Sequence, residues 1–268
     1  MIRLVALDLD GTLLGPDWKV SEADKEAIAL ARERGAHIVI NTTRWYEITL
    51  RTARRLDLTS PMVCHNGAHI KSPASGEELL HLPIATEIAR EIAAFCDERQ
   101  WEAYTTVAGV TYMRTRWQDQ IDPARLPEGM RVAARHAEHV TGPATGILAF
   151  GEDAIREVPA AFEQRYAGKL AFPVGWSESQ QPYVTITVAG VDKGTGLRAV
   201  CEHLGVPLEE SMAVGDAQPD VPMFEAAGVG VAMGNAIDEV KAQADAVAPS
   251  NSDGGVAWAI RRYVLEEG

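Results

Sequence analysis

The chain has 268 residues, 46% hydrophobic and 24% charged, enough for one large domain or two modest ones around a sizeable core. Lys and Arg number 25 and Asp and Glu 38, a formal charge of −13 that argues against nucleic acid and anionic membrane surfaces as partners. An anionic substrate would then need a metal ion or a focused positive site.

In chain order, the apolar run ending at Leu7 predicts a buried strand. Ser21 and Asp24 cap a helix whose stripe is Ala27, Ile28, Leu30 and Ala31 and which stops at Gly35. His37 to Ile40 predicts a strand, Trp45 to Leu56 a helix, and Pro61 to Cys64 a strand. The middle changes character. A helix over 86–99 precedes strands at 102–107 and 110–114, then an irregular stretch through Pro123, Pro127 and Gly129. Strand 147–150, helix 154–167 and strands 169–173 and 183–188 complete it. The first rhythm then returns: helix 193–204, strand 211–214, helix 219–227, strand 229–233, helix 237–242, strand 244–248 and helix 255–265. Alternating strands and helices imply an α/β fold with a Rossmann-like parallel-sheet core. The middle reads as an inserted α+β domain. The expected division is residues 1–82 and 190–268 for the core and 83–189 for the insert.

Cys64, Cys96 and Cys201 are scattered, odd in number and without CxxC spacing. Disulfides are not expected, and a reducing compartment is. MIRLVALDLDG turns acidic before a signal-peptide apolar region develops, and no apolar run approaches the ~18 residues of a membrane span. The expectation is a cytoplasmic protein with no membrane partner; oligomeric state is not legible.

Asp8-Leu9-Asp10-Gly11-Thr12-Leu13-Leu14 carries the strongest chemical signal. The two carboxylates point the same way if the strand continues, and face a common site at the sheet edge if it breaks at Gly11. Carboxylates this close call for a cation, and hard oxygen ligands suit Mg²⁺. Gly215-Asp216-Ala217-Gln218-Pro219-Asp220 also follows an apolar strand. Asp216 and Asp220 there are helix-capping residues on one reading and metal ligands on the other. Ligands in such sheets sit at the carboxyl ends of the strands, which brings all four aspartates to one edge and favours the metal.

Other signals have plainer readings. Gly194-x-Gly196 is helix-entry chemistry rather than a dinucleotide loop. His136 and His139 lack zinc-ligand company and read as a solvated pair. Asn41-Thr42-Thr43 fits a glycosylation acceptor but sits at a strand end. Asn66, Asn235 and Asn251 read as turn residues. Trp117, Trp176 and Tyr183 read as core, with a sugar pocket as the alternative.

Taken together, DLDGTLL (Asp8–Leu14), NTTR (Asn41–Arg44), DKGTGL (Asp192–Leu197) and GDAQPD (Gly215–Asp220) resemble, in order, a haloacid dehalogenase superfamily phosphatase of the Cof-type branch with an inserted α/β cap. HNGA at His65–Ala68, VAMGNA at Val231–Ala236 and the tail Ala244–Val256 support it; the insert carries no motif. The resemblance implies a Mg²⁺-dependent phosphatase acting on a small phosphate ester, of the sugar-phosphate kind, through an aspartyl-phosphate. It implies Asp8 as nucleophile and Asp10 as general acid and base, whose main-chain carbonyl also touches the metal. Asp8, Asp10, Asp216 and Asp220 then form the metal site, Thr42 donates to the phosphoryl group, and Lys193 balances charge. Thr43, Arg44 and Asn66 are implied substrate-binding residues. Two positions depart from the family pattern: Thr43 replaces a common glycine, and Pro219 replaces the asparagine usual before the last aspartate. Phosphomutase or phosphoglycolate-type phosphatase activity is an alternative on this scaffold, and a non-catalytic phosphate-binding protein is another. A phospho-accepting receiver is excluded by the insert and by Lys193 preceding Asp216 and Asp220.

Overall fold

The computed structural model describes residues 1–177 and 181–266. All four side chains of Leu4–Leu7 are buried, as a central parallel strand covered on both faces requires. The first segment contains β1 (Leu4–Leu7), α1 (Glu22–Glu33), β2 (His37–Ile40), α2 (Tyr46–Arg55), β3 (Met62–Cys64), β4 (His69–Lys71) and β5 (Glu78–His81). Next come α3 (Thr86–Glu98), β6 (Ala103–Val107), β7 (Val110–Arg114), β8 (Met130–Val132), β9 (Ala144–Phe150), α4 (Glu152–Phe162), β10 (Leu170–Ala171), β11 (Val174–Trp176) and β12 (Pro182–Val188). The last segment contains α5 (Lys193–Leu204), β13 (Ser211–Gly215), α6 (Val221–Ala226), β14 (Val229–Ala232), α7 (Asp238–Lys241), β15 (Ala246–Val247) and α8 (Gly255–Tyr263).

The chain forms two compact units, residues 1–79 with 192–268 and residues 80–191. In the first, five parallel strands run in the order β15-β14-β13-β1-β2. From β1 the chain moves outward to β2, then returns to build β13, β14 and β15 on the other side. The strand order therefore reverses between β1 and β13, and their carboxyl ends frame the crevice where open α/β sheets bind ligands. Helices α1 and α8 pack together, as do α5 and α6. Asp24 joins the first pair. Its amide N–H donates to the Ser21 hydroxyl, and its buried carboxylate accepts from Ser21 Oγ at 2.6 Å and from the Ala257 N–H at 2.7 Å. The expected Ser21 cap is thus present, and Asp24 also ties α1 to the first turn of α8.

Among the described residues, the inserted unit is an α+β domain of seven strands, ordered β10-β12-β9-β6-β7-β8 with β11 also on β12. Its pairings are antiparallel apart from β7 with β8. Helices α3 and α4 pack on it, and Ile92, Ala149, Val158 and Val184 lie in its core. The fold class is the one the alternation of elements implied. No described helix is long and apolar enough to cross a membrane.

Three readings are corrected in the insert. Trp117 and Trp176 are not core residues: they are 50% and 54% exposed, whereas Tyr183 is buried against Phe150. Of the expected solvated pair, His139 is exposed and His136 is not. His139 stacks on Tyr112, but His136 is fully buried, with Nδ1 at 2.6 Å from Thr105 Oγ1 and Nε2 at 3.4 Å from Asp97 Oδ1. The cause is Asp97 at the end of α3, which accepts the backbone N–H groups of His136 and Ala137 and draws the turn inward.

Burial lowers the His136 pKa to about 4; Asp97 opposes this, and Arg114 and His139 add to it. The unfolded imidazole titrates near 6.5, so it takes up a proton before the folded one does. Stability from this group is therefore complete above pH 6.5 and declines as pH falls towards 4, by roughly 2–3 kcal/mol. Urea unfolding of the wild type and of His136→Gln should show a stability difference that shrinks over that window. A constant difference would remove His136 as the cause.

Candidate active site

The first unit gathers the acidic residues through its strand ends. Asp8 is the first residue past β1, and its N–H still donates to Val214 O of β13 at 3.0 Å. Asp216 holds the matching place past β13. Asp220 ends a 3₁₀ turn over Gln218–Asp220 that Pro219 helps to start. Its Oδ2 accepts the Asp216 and Ala217 N–H groups at 2.8 and 2.9 Å. This return requires Gly215, since a Cβ there would fall 2.4 Å from Asp220 Cγ.

Lys193 opens α5. Asp192 caps that helix by accepting from the Thr195 N–H, while Thr195 Oγ1 accepts from the Asp192 N–H. The buried Lys193 ammonium donates to Asp8 Oδ1 at 2.5 Å and to Asp220 Oδ1. Burial alone would lower its pKa, but Asp220 and Asp8 outweigh that and hold it above the usual lysine value. Asn41 donates from Nδ2 to Lys193 O at 2.8 Å and fixes the start of the helix.

Carboxylate oxygens of Asp8, Asp216 and Asp220 lie within 4.8 Å of one another. Burial raises the Asp8 carboxyl well above its usual range; Lys193 draws it down while Asp220, Asp216 and Asp10 push it up. Burial, then Asp220, raises Asp216 to about 7, against the hydrogen bond from Thr12 and the charge of Lys193. With all three carboxylates ionised, Lys193 cancels one charge of three. The remaining two match a divalent ion, and three hard oxygen donors suit Mg²⁺.

Asp10 lies outside this acidic group. The strand ends at Leu7 and the chain turns at Gly11, where φ is +77°, so the alternation that would align Asp8 with Asp10 is lost. A Cβ on Gly11 would lie 2.2 Å from Asp216 Oδ2. Asp10 instead receives both prongs of Arg44, Nε to Oδ2 at 2.8 Å and Nη2 to Oδ1 at 2.5 Å. The Arg44 guanidinium lies 5.7 Å from the Trp18 ring centroid.

Thr42, Thr43 and Asn66 are buried in one hydrogen-bonded loop system. Asn41 N–H donates to Leu7 O, Thr42 N–H to Val63 O and Asn66 N–H to Thr42 O, while Thr42 Oγ1 accepts the Arg44 N–H. Asn66 takes φ of 56°, a left-handed turn position as read from sequence. Thr12, Asn41 and Asn235, for which the sequence suggests no part in the site, fasten Asp216, Lys193 and the Gly11 loop respectively. Each follows a strand or lies within a strand-end motif, and that position was the available signal.

A family model described as haloacid dehalogenase-like hydrolase matches residues 5–260. The chain is 31% identical to the 5-amino-6-(5-phospho-D-ribitylamino)uracil phosphatase YcsE of Bacillus subtilis, covering 98% of this chain and 96% of that one. It is 30% identical to the pyridoxal phosphate phosphatase YbhA of Escherichia coli, covering 98% and 99%. A solved haloacid dehalogenase-like hydrolase from B. subtilis superposes with a TM-score of 0.81 at 27% identity, covering 97% of this chain and 99% of that one. A model spanning nearly the whole chain, together with relatives matched end to end, places this protein in the haloacid dehalogenase-like hydrolase family.

Proposed function

We propose that this enzyme hydrolyses a small phosphate ester, of the sugar-phosphate kind, by way of an aspartyl-phosphate on Asp8. That it is a phosphoric monoester hydrolase follows from its family and its phosphatase relatives. The observation that carries the mechanism is the Lys193 ammonium bridging Asp8 and Asp220 beside Asp216. Lys193 engages Asp8 Oδ1, leaving Oδ2 to attack phosphorus as the ester P–O bond breaks. With Arg44 turned from Asp10 to the substrate, Asp10 carries a proton and gives it to the departing alkoxide. Water then attacks phosphorus, Asp10 accepts its proton, and the bond to Asp8 breaks to restore the carboxylate. Thr42 donates to a phosphoryl oxygen; Thr43, Arg44 and Asn66 contact the substrate. Mg²⁺ held by Asp8, Asp216 and Asp220, and by the Asp10 main-chain carbonyl, would supply positive charge against the phosphoryl oxygens. The intact Asp8, Lys193, Asp216 and Asp220 set favours turnover over a scaffold that only holds phosphate.

The phosphorylated ribityl chain in one relative's name supports a sugar-like ester. We place the protein in the cytoplasm; its cysteines are free and buried. In excess chelator, phosphate release from p-nitrophenyl phosphate should fall to background and return with Mg²⁺. Unchanged release in chelator would refute the metal's role. A panel of phosphorylated metabolites, scored the same way, identifies the substrate class.

Residues 83–189 are proposed as the substrate-selecting cap, since the catalytic set lies outside them. Replacing them with the corresponding segment of a relative should change the preferred ester while turnover through Asp8 persists. An unchanged preference would count against the cap.

A further inference from the structure

We infer that Asn235 is a positioning residue for Asp216, holding that carboxylate in the orientation a metal ion needs. The inference rests on the metal reading given above. Asn235 follows β14, the strand next to β13, and so arrives at the same sheet edge by an independent loop. Its Nδ2 donates to Gly11 O at 2.8 Å and points to Asp216 Oδ2 at 3.4 Å. Its Oδ1 accepts the Asn251 N–H at 3.0 Å. That third contact decides which way the amide faces: reversed, its carbonyl would oppose two oxygens and its amino group would oppose an N–H. Asn251 is anchored in turn by its own amide, which donates to Leu14 O at 2.9 Å.

Among the described residues, the side chains that donate to the Asp216 carboxylate are Thr12, to Oδ1 at 3.0 Å, and Asn235, to Oδ2. Gly11 closes the space beside Oδ2. The carboxylate is therefore held from both oxygens, and one amide joins the loops that follow β1, β14 and β15. Pro219 gives the Gly215–Asp220 turn no amide at that position, so the support comes from a neighbouring loop. Partners of this kind fix ligand orientation and typically change metal affinity by about 10–100-fold when removed.

The test is Mn²⁺ binding to the full-length chain without substrate, followed by electron paramagnetic resonance and competed with Mg²⁺. Asn235→Ala should weaken both ions by about tenfold or more. Asn235→Ser, too short to reach both acceptors, should do the same and serves if the alanine variant does not fold. Asp97→Asn, which loosens the His136–Ala137 turn in the other unit, should lower Tm and leave metal affinity unchanged. Wild-type affinity in a folded Asn235 variant, or an equal loss in Asp97→Asn, would overturn the positioning role. Failure of the wild type to bind either ion would overturn the metal reading and this inference with it.

Discussion

Asp8→Asn should lower kcat for p-nitrophenyl phosphate by about four orders of magnitude or more, some 5.5 kcal/mol of barrier, and leave the fold intact. The substitution keeps the shape of the side chain and an oxygen to accept from Lys193, which also remains paired with Asp220. It removes the lone-pair basicity that attack on phosphorus requires. Asp8 is buried among like charges, so its loss as an anion relieves crowding, and Tm should hold or rise slightly. Phosphate release near the wild-type rate from purified Asp8→Asn protein would end the nucleophile assignment.

Lys193→Met should damage both chemistry and stability. The ammonium touches two carboxylates at a nearly fully buried position, and methionine has a similar stem without the charge. Removing a charge-stabilising donor from a phosphoryl-transfer site costs about 10²–10³ in kcat. Leaving Asp8 and Asp220 without their shared counter-ion costs on the order of 3–5 kcal/mol, less whatever protonation of Asp8 recovers. A raised Mg²⁺ concentration should restore part of the lost Tm, because a divalent ion supplies some of the missing charge. A variant with unchanged Tm and kcat would mean that the Asp8–Lys193–Asp220 contact carries little energy.

The parallel core was legible because its two central strands, Leu4–Leu7 and Ser211–Gly215, are mostly apolar runs buried on both faces. Helix α5 takes the expected range 193–204, and the structure supplies its reason: Asp192 and Thr195 form a capping pair that fixes its first turn. The short strands β4, β5, β8 and β11 escaped because they are only three or four residues long and half-polar or exposed, and tertiary pairing decides them. Motif order pointed to Asp8, Lys193, Asp216 and Asp220. Where the Asp10 carboxyl goes depends on the turn at Gly11 and on Arg44, 34 positions later, and no local pattern encodes that pairing. His136 shows the same limit. An isolated i, i+3 histidine pair looks solvated until Asp97 captures the backbone of its turn.

Trapping the covalent species tests the role of Asp8 most directly. Enzyme mixed with p-nitrophenyl phosphate and Mg²⁺ should be quenched in acid within a turnover, digested, and read by mass spectrometry. A hydroxylamine-labile phosphoryl group is expected on the peptide containing Asp8, and none when the enzyme is Asp8→Asn. Phosphorylation of a different residue, or single-turnover phosphate release with no labelled peptide at any quench time, would contradict that role.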